Sequence, residues 1–165
     1  MIPKVRTDII DAYVFRRTGG SAEFLQLRRV GEPLARTWQP VMGHVEAGET
    51  AASCARRELL EEVGLRPDDP RWLGFWQLEQ VHPYFVAALD AVVLSPRFAA
   101  EVSPVWAPDL LGDPQHNGSR WVPHRDVSAR FMWPGQVAAC DEIVQGILPP
   151  DSLCEPHLRL PKYSG

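Results

Sequence analysis

Three glutamates, Glu58, Glu61 and Glu62, stand in the run Arg57-Glu58-Leu59-Leu60-Glu61-Glu62-Val63-Gly64-Leu65. On a helix turning 100° per residue they share one arc of about 100°. Ala52, Ala55, Leu59 and Val63 form a neighbouring apolar arc, which would face a core. Carboxylates at this spacing repel one another by a few tenths of a kcal/mol per pair. A hard divalent cation with oxygen ligands would offset that repulsion. A bare acidic string of this kind is more often a solvated helix face, so the residues around it decide the reading.

Upstream, Gly43-His44-Val45-Glu46-Ala47-Gly48-Glu49 places a glycine and a glutamate six positions apart, and Arg57-Glu58 follows after seven further residues. Together with Glu61, Glu62, Gly64 and Leu65 these positions match G-x5-E-x7-R-E-U-x-E-E-x-G-U in full. At average residue frequencies a chance match is on the order of one in ten million. On this pattern the chain resembles the Nudix hydrolases. The resemblance implies an α+β fold, a mixed β-sheet packed between helices as an α/β/α sandwich. It implies Mg²⁺, with Mn²⁺ as a possible substitute, held by Glu58, Glu61 and Glu62 and by the Gly43 carbonyl. It also implies a Glu49–Arg57 pair bracing the loop against the helix, and Glu58 as the general base. The activity implied is water attack on phosphorus, which cleaves a diphosphate linkage in a small nucleotide-like substrate.

Further segments are similar to the dATP and dihydroneopterin triphosphate pyrophosphohydrolase branch: Leu25 to Arg29, Trp38 to Glu46, His116 to Trp121 and Phe131 to Pro134. In that branch a glutamate before the histidine contributes to the metal site. Here Gln115 stands there, so either that ligand is absent or another acid such as Asp113 replaces it. The same chemistry on a nucleotide sugar or dinucleoside polyphosphate is an alternative, as is a non-catalytic nucleotide-binding sensor. Arg28 and Arg29 fall where relatives bind phosphate, and strand alternation turns only one of them toward a site. Trp38 and Trp121 offer aromatic faces for a base. His44 and His82 complete the set of candidate substrate contacts.

The elements that must position these residues can also be read. Ile9 to Arg16 and Glu23 to Arg29 form a strand pair around Gly19-Gly20-Ser21, and Trp38 to Val45 is a short extended stretch broken by Pro40 and Gly43. A helix runs from about Thr50, its N-cap, to Val63, with Gly64 beyond its end. Strands return at Trp72 to Gln80, Tyr84 to Leu94 and Arg120 to Pro123, and Pro134 opens a helix to about Gly146. The proline-rich stretch from Ser95 to Asn117 reads as one long loop. The expected organisation is a single Nudix domain over residues 1–148, then a proline-rich tail of low order over 149–165.

With 165 residues the chain has room for one domain and a sizeable core. A formal net charge of −4 argues against broad binding to a nucleic-acid polymer, leaving a small anionic substrate as partner. Cys54, Cys140 and Cys154 lie far apart with no CxxC, against a disulfide framework or zinc cluster. The N-terminus has no apolar leader and no apolar run is long enough to cross a bilayer, which fits a cytoplasmic enzyme with no membrane partner. Oligomeric state is not legible.

Overall fold

Alternation along the second strand lays out the whole molecule. Ile10, Ala12 and Val14 enter one apolar core, while Tyr13 and Phe15 enter another on the opposite face. The computed structural model describes residues 2–163. It comprises strands β1 (Lys4–Arg6), β2 (Ile9–Thr18), β3 (Ser21–Arg29), β4 (Trp38–Gln39), β5 (Val41–His44), β6 (Trp72–Gln77), β7 (Tyr84–Val86), β8 (Ala91–Val93), β9 (Arg97–Val102) and β10 (His116–Pro123). The α-helices are α1 (Ala51–Val63), α2 (Val127–Arg130), α3 (Pro134–Glu142) and α4 (Glu155–Leu158).

A seven-stranded mixed sheet has the order β10-β3-β2-β9-β6, with β4 added to β3 and β5 added to β2. A smaller sheet, β1-β8-β7, lies beside it. The β2–β9 pair is parallel and the other pairs of the large sheet are antiparallel. Cys54, Ala55, Leu59 and Val63 of α1 pack on the Ile10–Val14 face, and Ala139 and Cys140 of α3 pack on the Tyr13–Phe15 face. The expected sandwich of helix, mixed sheet and helix is present.

One irregularity of the sheet matters for the site. β2 and β3 are paired from Phe15–Phe24 to Thr18–Ser21, across a turn where Gly19 takes φ 65°. Beyond Phe15–Phe24 they part. β4 then follows β3 and β5 follows β2, with no β4–β5 ladder among the described residues. Pro40 joins the two short strands and has no N–H for a ladder. The sheet is therefore split between Trp38-Gln39 and Val41-Met42.

Three expectations need correction. The supposed loop Ser95–Asn117 contains β9, a strand buried along its full length between β2 and β6. The supposed single strand Tyr84–Leu94 is a hairpin, turned over by a 3-10 segment at Ala87–Leu89 with Asp90 at φ 44°. The tail is not loose where it is described. Leu158 is buried, Arg159 bridges to Trp76, and the Leu160 N–H donates to the Phe75 carbonyl at 2.7 Å. Ser164 and Gly165 lie outside the described residues.

Candidate active site

The acidic helix begins and ends where its residue types direct. Thr50 Oγ1 accepts from the Ser53 N–H at 3.1 Å, and Ser53 Oγ accepts from the Thr50 N–H at 2.9 Å. Gly64 takes φ 69°, a conformation costly for side chains with a Cβ. Its N–H donates to the Leu60 carbonyl at 3.0 Å. Between these caps the helix turns Glu58 and Glu62 inward, both almost wholly buried, while the Glu61 side chain stays 57% exposed.

Arg57 is the hub of the loop–helix junction. It grips Glu49 with Nε to Oε1 at 3.0 Å and Nη2 to Oε2 at 3.1 Å. It also donates to Glu58 Oε1 at 2.8 Å, Glu61 Oε2 at 3.2 Å and the His44 carbonyl at 2.9 Å. The arginine bond holds the Glu49 carboxyl below the usual carboxylate range. His44 thus enters through its backbone, with its side chain exposed at the end of β5. Cys54, fully buried one turn before Glu58, has its thiol pushed up to about 12 by burial and by Glu49, and serves as an inert filler.

Glu58 fills the space beside Gly43, where any Cβ would overlap its carboxyl group. Burial raises the Glu58 carboxyl above its ordinary range, although Arg57 pulls the other way. Glu62 is more extreme. Burial, then the charges of Glu58 and Asp113, push it up to about 9, and its Oε2 has no hydrogen-bond partner. With Glu61 turned toward Arg57 and solvent, the three carboxylates do not converge on one point in this arrangement.

Asp113 reaches this group from the loop before β10. Its Oδ2 lies 2.6 Å from His116 Nδ1, its Oδ1 accepts from the Gln115 N–H at 2.8 Å, and Gln39 Nε2 lies 3.0 Å from His116 Nε2. The Gln39 amide NH₂ only donates, so this chain suits a His116 whose Nε2 accepts from Gln39 and whose Nδ1 donates to Asp113. Of the two candidates before the histidine, the structure brings Asp113 to Glu62 and leaves the Gln115 side chain exposed. Sequence reading did not find the Gln39–His116–Asp113 relay as a unit. Its only signal was a histidine three residues after an acid.

The expected substrate contacts fall into separate places. Arg28 and Trp38 are cross-strand partners on the α3 face, both beside Gly118, and the Arg120 guanidinium lies 4.2 Å over the Trp38 ring. Arg29 turns to the opposite face and donates to the Gly31 carbonyl at 3.0 Å, so only one of the arginine pair joins Trp38. His82 packs against Gly135 at the start of α3, on the face of the sheet away from Gly43. Trp121 is a correction. It lies under Arg16 at 4.3 Å and edge-on to Trp106 at 6.4 Å, a wall of the core at the far end of β10.

In donor chemistry, though not in the present placement of Glu61, the residues fit a divalent cation. A buried carboxyl with one partnerless oxygen, near the charges of Glu58 and Asp113, is relieved either by a proton, as its raised proton affinity shows, or by a cation that takes the proton's place. Oxygen donors of this kind suit Mg²⁺ or Mn²⁺ rather than softer metals.

Comparison with known proteins agrees with this geometry. A family model described as the NUDIX domain matches residues 6–140. No curated protein matches the sequence. Among solved structures, a Caenorhabditis elegans Ap4A hydrolase binary complex is similar with a TM-score of 0.66 at 19% identity, over 85% of this chain and 96% of that one. The Escherichia coli dihydroneopterin triphosphate pyrophosphohydrolase gives 0.64 at 19% identity, over 88% and 99%. The NUDIX domain of Shewanella oneidensis NrtR, complexed with ADP ribose, gives 0.64 at 16%, over 88% of each. At these identities the structural likenesses speak for the fold alone. The family match covers most of the chain and carries the full box, and the chain belongs to the Nudix family.

Proposed function

We propose that this protein is a Mg²⁺-dependent pyrophosphohydrolase, cleaving a diphosphate linkage in a nucleoside triphosphate or related small substrate. The observation that carries the reading is the helix face where Glu58 sits against Gly43 and Glu62 keeps a buried oxygen without a hydrogen-bond partner. Glu58, Glu61, Glu62 and the Gly43 carbonyl would hold the ion, with Asp113 as the further acid. Bound there, Mg²⁺ supplies charge neutralisation and orientation of the phosphates and acidifies a water. Glu58 takes the proton of the attacking water. As the new P–O bond forms, the bridging P–O bond breaks and its oxygen leaves with the second product. Arg57 and Glu49 position Glu58 from the side. Arg28 and Trp38 are the proposed contacts for phosphate and base.

The similar folds include an Ap4A hydrolase and a dihydroneopterin triphosphate pyrophosphohydrolase, so both substrate classes belong in the test. The test is metal-dependent release of phosphate or pyrophosphate from canonical and modified triphosphates, nucleotide sugars, dinucleoside polyphosphates and dihydroneopterin triphosphate. Turnover that vanishes in Glu61→Gln supports the reading. Turnover indifferent to that change overturns the mechanism, and a folded wild type that binds nucleotide without turning it over points to a sensor.

A further inference from the structure

Arg97, the first residue of β9, is 4% exposed, and its Nε has no hydrogen-bond partner. The nearest acid is Asp11, its register partner on β2, at 3.9 Å, too long for a hydrogen bond. Asp11 in turn lies near Tyr13 Oη at 3.4 Å and Ser95 Oγ at 3.3 Å. This small cluster therefore has hydroxyl donors around its carboxylate but no acceptor placed for the guanidinium Nε. An arginine carries five N–H donors and no acceptor, and a buried donor left without a partner is costly. What the site lacks is acceptor oxygen.

Its position connects it to the proposed chemistry. Arg97 pairs with Asp11, and Asp11 pairs with Met42, the residue before Gly43. Two strand spacings separate Arg97 from Met42, roughly 10 Å at Cα. Arg97 lies on the α3 face and the carboxylates on the α1 face, and the sheet is split next to Met42. Above the guanidinium, a Cβ on Gly135 would stand 2.5 Å from Arg97 Nη2 and 3.1 Å from His82. His82 and Trp133 at this rim are exposed.

We infer that Arg97, beneath His82 and Gly135, is a specificity site that donates hydrogen bonds to an acceptor oxygen on the group carried by the diphosphate. The inference rests on the hydrolase reading for its substrate, and entry requires the exposed His82 side chain to turn aside. The site selects for substrates with oxygen at that end, whether a ribose hydroxyl or a ring carbonyl.

The full-length wild type, Arg97→Gln, Arg97→Lys and Gly135→Ala would be compared in steady-state hydrolysis of ADP-ribose, dGTP and dATP with Mg²⁺. ADP-ribose binding would be followed in parallel by calorimetry, and folding by thermal unfolding. For at least one substrate, Arg97→Gln should raise KM by about tenfold with kcat little changed, with partial recovery in Arg97→Lys. Gly135→Ala, which crowds the guanidinium without removing it, should raise the same KM and covers the case in which Arg97→Gln fails to fold. A rise for dGTP but not dATP assigns a ring carbonyl, and a rise for ADP-ribose assigns a ribose hydroxyl. Unchanged KM and unchanged ADP-ribose affinity in the folded variants mean that water alone satisfies the arginine, and overturn the site while wild-type turnover leaves the hydrolase reading standing. Arg97-dependent binding without any wild-type turnover does the reverse.

Discussion

At residue 43 the side chain is missing because the Glu58 carboxyl already occupies its place. Gly43→Ala should therefore displace Glu58 with little damage to the core. The expected outcome is a loss in kcat/KM on the order of 10²-fold with a melting temperature near wild type. A variant with wild-type kcat/KM would show that Glu58 has no fixed position in the reaction. Glu62 gives a prediction in pH. Its folded-state proton affinity is raised to about 9. A carboxyl with a raised folded pKa holds a proton that the unfolded chain has released, so metal-free stability falls as pH climbs from the ordinary glutamate range toward 9. Glu62→Gln should flatten that decline and abolish stabilisation by added Mg²⁺, read by thermal unfolding with and without chelator. An unchanged pH slope would count against the buried, like-charged environment assigned to Glu62.

At the level of elements, α1 was legible end to end because its signals are local. Thr50 caps it, Gly64 ends it, and the apolar arc repeats at helical spacing. The Glu49–Arg57 pair was legible through the box pattern. Breaking it by Glu49→Gln should loosen the loop carrying Gly43 and lower kcat more than it raises KM, with the fold intact by circular dichroism. β9 escaped sequence reading for a physical reason. Arg97 and Glu101 sit inside a strand that is buried on both faces, where side-chain polarity normally argues for a loop. Only the finished sheet supplies neighbours of opposite charge, Asp11 at 3.9 Å from Arg97 and Arg17 at 2.8 Å from Glu101. The Asp113–His116–Gln39 relay escaped for the same reason, since 77 positions separate Gln39 from His116. Trp121 shows the converse. Its residue type suggested a base platform, yet its place on β10 makes it wall.

Across the whole molecule, the two cores behave as separate supports on the two faces of one sheet. The α1 core holds the carboxylates, and the α3 core holds Arg97, Asp11 and the helix that covers them. No helix among the described residues is long and apolar enough to cross a membrane. Sequence reading recovered this layered plan, the box and the candidate contacts Arg28, Trp38 and His82 on the α3 side, but not the buried Arg97 beneath them.

The packed C-terminal segment has a consequence for association. β6 is an outer strand of the large sheet, and its outer side is met by Arg159 and Leu160, while Lys162 Nζ donates to the Trp72 carbonyl at 2.9 Å. Arg56 of α1 lies 5.1 Å over the Phe75 ring and donates to the Pro161 carbonyl at 2.8 Å. The segment thus shields β-strand backbone and buckles it to the acidic helix. Ending the chain at Leu148 should uncover strand N–H and C=O groups, which invite pairing between copies. The shortened protein should elute larger and in a concentration-dependent way by light scattering, with slower turnover at equal fold content. A shortened chain that stays monodisperse and fully active would mean that the sheet edge protects itself.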